Sequence, residues 1–157
     1  MLSQFRRRGF TIIDVIVTTG LLGVVTAFGA PELQQALRHR TVQGAADQFT
    51  TAHSLARATA IRYGRVAQLH IDPATRRFWI EADTSADDIG QRATIWYERS
   101  LTEPGVQMSS DRTVLCFDAR GLGYDVDPCQ SGDAEVVFST IDASDTVRTT
   151  VLGKVLR

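Results

Sequence analysis

The sequence predicts an α+β fold in which one long N-terminal helix packs on an antiparallel β-sheet domain. A helical pattern of apolar residues continues from the N-terminal region to about position 62. Short alternating segments, separated by Gly, Pro, Asp and Thr, occupy the rest of the chain. The chain has 157 residues, 43% hydrophobic and 22% charged. These values indicate one folded domain rather than a disordered chain or a polytopic membrane protein.

The first thirty residues divide into a basic leader and an apolar helix. Residues 1–9 carry three consecutive arginines and no acid, and residues 10–30 contain a single ionisable group, Asp14. As a helix the apolar stretch is about 30 Å long, which is enough to cross the core of a bilayer. The arginines that precede it predict a cytoplasmic N-terminus, with the C-terminal part on the other side.

Asp14 separates the possible interpretations of this helix. A secretory signal peptide has a shorter apolar region without an acid, followed by a small-residue cleavage site. A plain membrane anchor explains the arginines and the length but not the carboxylate. An unpaired carboxylate in a membrane helix costs about 2.5–3.5 kcal/mol on insertion scales, so a partner and a role are expected for it.

The string Arg8-Gly9-Phe10-Thr11-Ile12-Ile13-Asp14 resembles the class III signal of type IV pilins and type II secretion pseudopilins. The resemblance implies that prepilin peptidase cuts between Gly9 and Phe10 and that Phe10 is then N-methylated. Asp14, the fifth residue after the cut, would be the assembly carboxylate, although the family usually has Glu there. In a filament its charge would pair with the Phe10 ammonium of a neighbouring subunit, which offsets the desolvation of both ions. Pro31 lies where many pilins have a helix kink.

Beyond Pro31 the sequence predicts an amphipathic helix to about Arg62 and then β-strands. Pro31 should bend the helix without ending it, because the pattern resumes at once. The apolar stripe comprises Leu33, Leu37, Val42, Ala45, Phe49, Ala52, Ala56, Thr59 and Tyr63, and Gly64 marks the end. The predicted strands are Val66–Ile71, Arg77–Ala82, Thr94–Tyr97, Val106–Met108, Val114–Phe117, Ala134–Ser139 and Thr146–Leu152, with hairpin turns at Asp72–Thr75 and around Asp142–Asp145.

Three further strings resemble the GspH/FimT family of pseudopilins and minor pilins. They are Leu55–Ile61, Val114–Gly121 and the closing Val151-Leu152-Gly153-Lys154-Val155. The resemblance implies a type IV pilin-like fold in three segments: a cleaved leader (1–9), a transmembrane and filament-core helix (10–30) and a periplasmic globular domain (31–157). It implies a single-pass protein of the bacterial inner membrane, with prepilin peptidase and other pilins or pseudopilins as partners.

The function implied by the resemblance is structural. The protein would be a minor pseudopilin of the type II secretion filament, at or near its tip. The alternative is a FimT-like minor type IV pilin for pilus assembly or DNA uptake. A membrane-anchored periplasmic enzyme is disfavoured, because the sequence has no Gly-x-Ser-x-Gly, Walker-type loop or His-Glu-x-x-His motif, and no cofactor is expected.

The two cysteines, Cys116 and Cys129, lie 13 residues apart in the part expected to face an oxidising periplasm. A disulfide is favoured there, with two free thiols or a metal pair as the alternatives. The histidines at 39, 53 and 70 are scattered and are expected at the surface or its boundary. The acids Asp118, Asp125, Asp127 and Asp133 could together hold a calcium ion, but their spacing fits no EF-hand loop. Solvated loop acids are the commoner explanation, so no metal site is expected.

The C-terminal region is mildly basic through Arg148, Lys154 and Arg157. Some FimT-like minor pilins bind DNA with such a stretch, so these three residues are possible DNA contacts. The residues after Pro31 include 14 basic and 17 acidic side chains, a net charge of -3. This overall charge opposes DNA binding.

Overall fold

The structure is a computed structural model that describes residues 11–84, 92–101, 105–123, 125–130 and 133–157, without the side chains of 28–31 and 96–98. The chain divides into two compact units between Leu37 and Arg38, and the second, Arg38–Arg157, is the globular unit. Helix α1 spans Ile12–Tyr63 and contributes to both units. In the described residues eight strands follow: β1 (Ala67–Asp72), β2 (Arg77–Asp83), β3 (Arg92–Ser100), β4 (Gln107–Ser110), β5 (Val114–Phe117), β6 (Ala134–Ser139), β7 (Ser144–Thr149) and β8 (Val155–Leu156). The α+β fold class is therefore confirmed.

Helix α1 ends where the sequence predicts. Gly64 follows Tyr63 with a φ of 64°, a left-handed conformation that suits glycine at a helix C-terminus. The helix continues through position 31, so Pro31 does not end it. The side chain of Pro31 lies outside the described residues, and the kink stays a prediction.

The strands form two four-stranded antiparallel sheets. Sheet A has the order β3-β2-β1-β5, and sheet B has the order β4-β6-β7-β8. Both predicted hairpins are present: Leu69 of β1 is opposite Ile80 of β2, and Val136 of β6 is opposite Val147 of β7. Apolar residues at these alternating positions point to the core.

The C-terminal strand was predicted with the wrong bounds. Instead of continuing to Leu152, β7 ends at Thr149, and the chain turns at 150–153 before β8. The Thr150 carbonyl accepts a 2.8 Å hydrogen bond from Gly153 N, whose φ is 71°. This turn interrupts the alternation that suggested one long strand. The third strand is longer than predicted, because β3 pairs with β2 from Ser100 back to Arg92.

The core lies where α1 meets both sheets. Phe49 of the helix is fully buried, and its ring centroid is 6.0 Å from that of Phe78 in β2 and 6.0 Å from that of Phe138 in β6. One helical side chain therefore contacts both sheets. Small helical side chains bring the sheets close to the helix axis, and they are the fully buried Ala45, Ala46, Ala52, Ala56 and Ala60.

The buried stripe of α1 is shorter than predicted. It begins at Val42, whereas Leu33 and Leu37 are 62% and 54% exposed, and Tyr63 is 39% exposed. Leu33 and Leu37 belong to the unit that ends at Leu37, and its described residues, 11–37, include no strand. The expectation that His53 lies at the surface or its boundary is wrong, because only 1% of it is exposed.

Candidate functional site: the exposed N-terminal helix and the turns that hold the globular unit

The first turn of α1 is closed by a capping box between Thr11 and Asp14. Thr11 precedes the helix, and its hydroxyl accepts a 3.3 Å hydrogen bond from Asp14 N. The Asp14 carboxylate accepts hydrogen bonds from Thr11 N (3.0 Å) and from the Thr11 hydroxyl (2.9 Å). This reciprocal arrangement satisfies two of the free donors at a helix N-terminus. The carboxylate is thus partly satisfied within its own helix.

The pattern Thr-x-x-Asp could have revealed this cap from the sequence. A Ser or Thr followed three residues later by an acid and then an apolar run is a helix N-terminal signature. Thr11 is therefore a site residue that the sequence analysis missed. Gly9 and Phe10, the expected cleavage site and methylation site, lie outside the described residues.

The surface of α1 from Ile12 onwards is apolar and exposed. Ile12 is 80% exposed, Ile16 64% and Leu21 61%. The hydroxyls of Thr18 and Thr26 donate 2.8 and 2.9 Å hydrogen bonds to backbone carbonyls four residues earlier, so these polar groups are satisfied within the helix. Of the residues that the structure describes, α1 alone forms a helix long and apolar enough to cross a membrane.

The predicted disulfide between Cys116 and Cys129 is present. It joins β5 to the loop that follows it, and the two cysteines are 2% and 7% exposed. Gln130 N donates a 3.1 Å hydrogen bond to Val114 O, so the loop lies along the free edge of β5. The buried Gln68 of β1 donates a 3.6 Å hydrogen bond to Cys129 Sγ. The loop that the disulfide closes therefore covers the β5 edge of sheet A.

Two glycine turns enclose the side chain of Arg57. A Cβ on Gly121 would lie 2.9 Å from Arg57 Cγ and 2.8 Å from Ile61 Cδ1, and a Cβ on Gly153 would lie 3.2 Å from Arg57 Nε. Arg57 also donates a 3.2 Å hydrogen bond from a terminal nitrogen to Gly153 O. The two glycines therefore allow the turns after β5 and β7 to lie against helix α1.

The turn that contains Gly121 is held by Asp118. Its carboxylate accepts 2.9 Å hydrogen bonds from Leu122 N and from Arg120 N. Backbone donation by Leu122 lowers the pKa of the Asp118 carboxyl, because it favours the charged form. Arg57, Gly121 and Gly153 lie in three separate strings that resemble the GspH/FimT family, and the fold brings them together.

The three possible DNA contacts are not equally available. Arg148 Nε donates a 2.8 Å hydrogen bond to Glu135. Arg157 binds the carboxylates of both Asp47 and Asp145, and hydrogen bonding to Asp145 raises its pKa. Lys154 is exposed. Two of the three cations are therefore paired with acids of the same chain.

The other candidate groups do not form a site. His39 is exposed, and the half-buried His70 stacks on Trp79 at 5.0 Å between ring centroids. Burial lowers the pKa of His70, and the nearby Glu81 opposes this effect. Within the described ranges, no group of three His, Cys, Asp or Glu side chains could hold a metal ion.

Comparison with known proteins identifies the family. The sequence profile of the family described as Type II transport protein GspH matches residues 45–153. This segment contains Arg57 with the two glycine turns that enclose it, the disulfide and most of the core. The chain belongs to the GspH family. No curated protein sequence matches the chain.

Solved structures are similar to this chain in fold. The type IV minor pilin FimU of Pseudomonas aeruginosa (strain PAO1) matches in one crystal form with a TM-score of 0.57 and 14% identity, over 73% of this chain and 86% of FimU. A second crystal form of FimU gives a TM-score of 0.53 and 15% identity, over 73% and 90%. The minor pseudopilin EpsH from the Type 2 Secretion System of Vibrio cholerae gives 0.49 and 15%, over 73% and 94%. The two FimU matches show that the fold of this GspH-family chain is type IV pilin-like.

Proposed function

We propose that the chain is a minor pseudopilin, a structural subunit at or near the tip of the periplasmic filament of a type II secretion system. The observation that carries the proposal is the GspH profile over residues 45–153, whose description refers to type II transport. Family membership also favours assembly with other pilins or pseudopilins. The protein would support secretion of other proteins and have no catalytic activity of its own.

The exposed apolar surface of α1 suits a pseudopilin both before and after its assembly into a filament. Before assembly, the apolar surface that begins at Ile12 would lie in the inner membrane, with the C-terminal domain in the periplasm. After assembly, the same surface would contact the helices of neighbouring subunits. Thr11 supplies two hydrogen bonds to Asp14 within the subunit. A neighbouring Phe10 ammonium would supply the opposite charge in the filament.

Processing gives the first test. Mass spectrometry of the membrane-extracted protein should find a chain that starts at methylated Phe10. Gly9→Val should block the cut, because a peptidase subsite that accepts glycine has no space for a branched side chain. A Gly9→Val protein that still begins at Phe10 would contradict the proposed cleavage site.

Assembly gives the second test. Asp14→Asn should leave insertion, cleavage and folding unchanged but reduce crosslinking to the other pseudopilins in membranes. Asp14→Glu should be tolerated, because it keeps the charge. Glu32→Gln is the matched control, since it removes an exposed carboxylate from the same helix. Equal crosslinking of the unmodified protein, Asp14→Asn and Asp14→Ala would show that the carboxylate has no pairing role.

The alternative is a FimT-like minor type IV pilin that acts in pilus assembly or DNA uptake. The exposed Lys154 is compatible with DNA, but the carboxylates around Arg148 and Arg157 oppose it. Deletion of the gene separates the two functions. Loss of secreted proteins with normal pili supports the pseudopilin, whereas loss of pili or of DNA uptake with normal secretion supports the minor pilin.

A further inference from the structure

Ile141 lies at the tip of the tight turn between β6 and β7 and is almost fully exposed. Its exposed fraction of 94% is the largest among the large apolar side chains of the described residues. The turn is closed by a 2.7 Å hydrogen bond from Thr140 N to Ala143 O, and the Thr140 hydroxyl donates to the same oxygen. Such turns favour Gly, Asn, Asp and Ser. A closed turn that presents isoleucine to solvent indicates a contact outside the subunit.

The tip of this turn is tied to helix α1 at Arg38. A terminal nitrogen of Arg38 donates a hydrogen bond to the Asp142 carboxylate, and the two side chains form an ion pair. A groove of about 160 Å³ lies beside the pair and is lined by Arg38, Gly105, Thr140 and Ile141. The Arg38 side chain remains 45% exposed, and a guanidinium has five N–H donors, so donors are left for a further ligand.

Arg38 also lies close, along the chain, to the proposed membrane span. It is the first residue of the globular unit, eight positions after the apolar run 10–30 ends, and α1 is helical throughout this interval. Eight residues of helix rise about 12 Å. The headgroup layer adds about 5–7 Å on each side of the hydrocarbon core. Whatever the tilt of the helix, Arg38 lies within about 12 Å of the hydrocarbon once residues 10–30 span it.

We propose that the β6–β7 turn, residues 140–143, rests on the membrane surface, with Ile141 in the interfacial layer and Arg38 against the lipid phosphates. This inference rests on the proposed function, in which residues 10–30 span the inner membrane. Guanidinium groups bind phosphate oxygens through paired hydrogen bonds, and apolar side chains combined with cations are typical of segments that lie in the interface. The contact gives the unassembled subunit a second attachment to the bilayer and orients its globular unit.

Leu152 provides a matched control position. It is 70% exposed and also lies in a turn next to a strand. The carbonyl of its neighbour Gly153 accepts a hydrogen bond from Arg57, which is nineteen positions beyond Arg38 in the same helix. Nineteen residues of helix correspond to about 28 Å. A subunit that rests on Arg38 and Ile141 therefore keeps Leu152 in water.

Fluorescence of the full chain in phospholipid nanodiscs tests the proposal. The variants Ile141→Cys, Leu152→Cys and Ile16→Cys each carry a nitrobenzoxadiazole label, since the two native cysteines are paired with each other. The label at position 141 should emit at a shorter wavelength than the label at 152, and lipids with a nitroxide near the headgroup should quench it. The label at 152 should behave as it does in water, and nitroxides deep in the acyl chains should quench the label at 16.

The label at position 16 separates failure of the membrane contact from failure of the proposed function. If the lipid nitroxides do not quench it, both the membrane span and the contact are wrong. If they quench it but the label at 141 resembles that at 152, the contact alone is wrong. A label at 141 that is shielded from water but not quenched by lipids would show that a second copy of the protein covers the turn, and this would also overturn the proposal.

Hydrogen exchange without a label provides an independent measurement. In nanodiscs, the backbone amides of residues 139–144 should exchange severalfold more slowly in the unmodified protein than in Ile141→Ser, because serine removes the side chain that holds the turn in the interfacial layer. Ile141→Leu should keep the slow exchange, and Leu152→Ser should leave it unchanged. Equal exchange in Ile141→Ser and in the unmodified protein would contradict the membrane contact.

Discussion

Replacement of Gly121 by alanine should strongly destabilise the globular unit, for two separable reasons. Gly121 has a φ of 75°, and a left-handed conformation costs a residue with a Cβ about 1–2 kcal/mol. The new methyl carbon would lie 2.8 Å from Ile61 Cδ1 and 2.9 Å from Arg57 Cγ. Such overpacking costs about 1–3 kcal/mol. The sum predicts that Gly121→Ala lowers the free energy of unfolding by about 2–5 kcal/mol.

Substitutions at two other glycines separate the backbone cost from the overpacking cost. Gly64 has a φ of 64° and no heavy atom within 4 Å of its ideal Cβ, so Gly64→Ala should show the backbone cost alone, about 1–2 kcal/mol. Gly44 lies inside α1, and its ideal Cβ also has no atom within 4 Å. Gly44→Ala should stabilise the protein by about 0.5–1 kcal/mol, because alanine loses less backbone entropy in a helix.

Thermal unfolding of the full chain in detergent, followed by circular dichroism, measures all three variants. For a unit of about 120 residues the entropy of unfolding is about 250 cal/mol/K, so 1 kcal/mol corresponds to about 4 °C. Gly121→Ala should melt about 8–20 °C below the unmodified protein, and Gly64→Ala about 4–8 °C below it. If the two variants lost the same amount, the contact with Arg57 and Ile61 would contribute nothing. A Gly121→Ala protein as stable as the unmodified one would refute both parts of the reasoning.

The disulfide and His53 give two further predictions. The double variant Cys116→Ala/Cys129→Ala should lose about 3 kcal/mol in the loop-entropy model, as should the reduced unmodified protein. A reductant that leaves the melting temperature of the unmodified protein unchanged would refute this. Burial, with the Arg57 charge, lowers the pKa of His53 to about 4 in the folded state, whereas the unfolded value is about 6.5. Between these values the unfolded chain binds more protons, so about 3 kcal/mol of stability, present above pH 6.5, should be lost as the pH falls to 4. His53→Gln should not lose this stability as the pH falls. If the stability of His53→Gln and of the unmodified protein changed in parallel with pH, the loss would not be due to His53.

The helix and hairpins were predictable because each buries one periodic face. Alternation in Arg77–Asp83 and in Ala134–Ser139 defines strands whose apolar residues meet the helix. The same reasoning misplaced the end of β7, because Val151 and Leu152 continue the apolar pattern in a turn, where they are 44% and 70% exposed. Periodicity records which residues are apolar, but backbone hydrogen bonds decide where a strand ends.

The remaining features depend on contacts between distant parts of the chain. The burial of His53 follows from the approach of Phe117, 64 positions later in the sequence. The hydrogen bond from Arg57 to Gly153 O forms only because the turn at Gly153 folds back on the helix. No local sequence pattern reveals a contact between residues so far apart in the chain. The cap between Thr11 and Asp14 is different, because its signature is local and could have been found from the sequence.

Because of the disulfide, the stability of the globular unit depends on whether the compartment is oxidising or reducing, as well as on the sequence. In a reducing compartment the loop after β5 would lose its covalent link and keep hydrogen bonds such as that from Gln130 N to Val114 O. A loss of about 3 kcal/mol raises the unfolded fraction roughly 150-fold. Cellular proteases remove unfolded chains continuously, so stability losses of this size lower the abundance of a protein. The bond between Cys116 and Cys129 would therefore act as a form of quality control, by which copies that fail to reach an oxidising environment are selectively degraded.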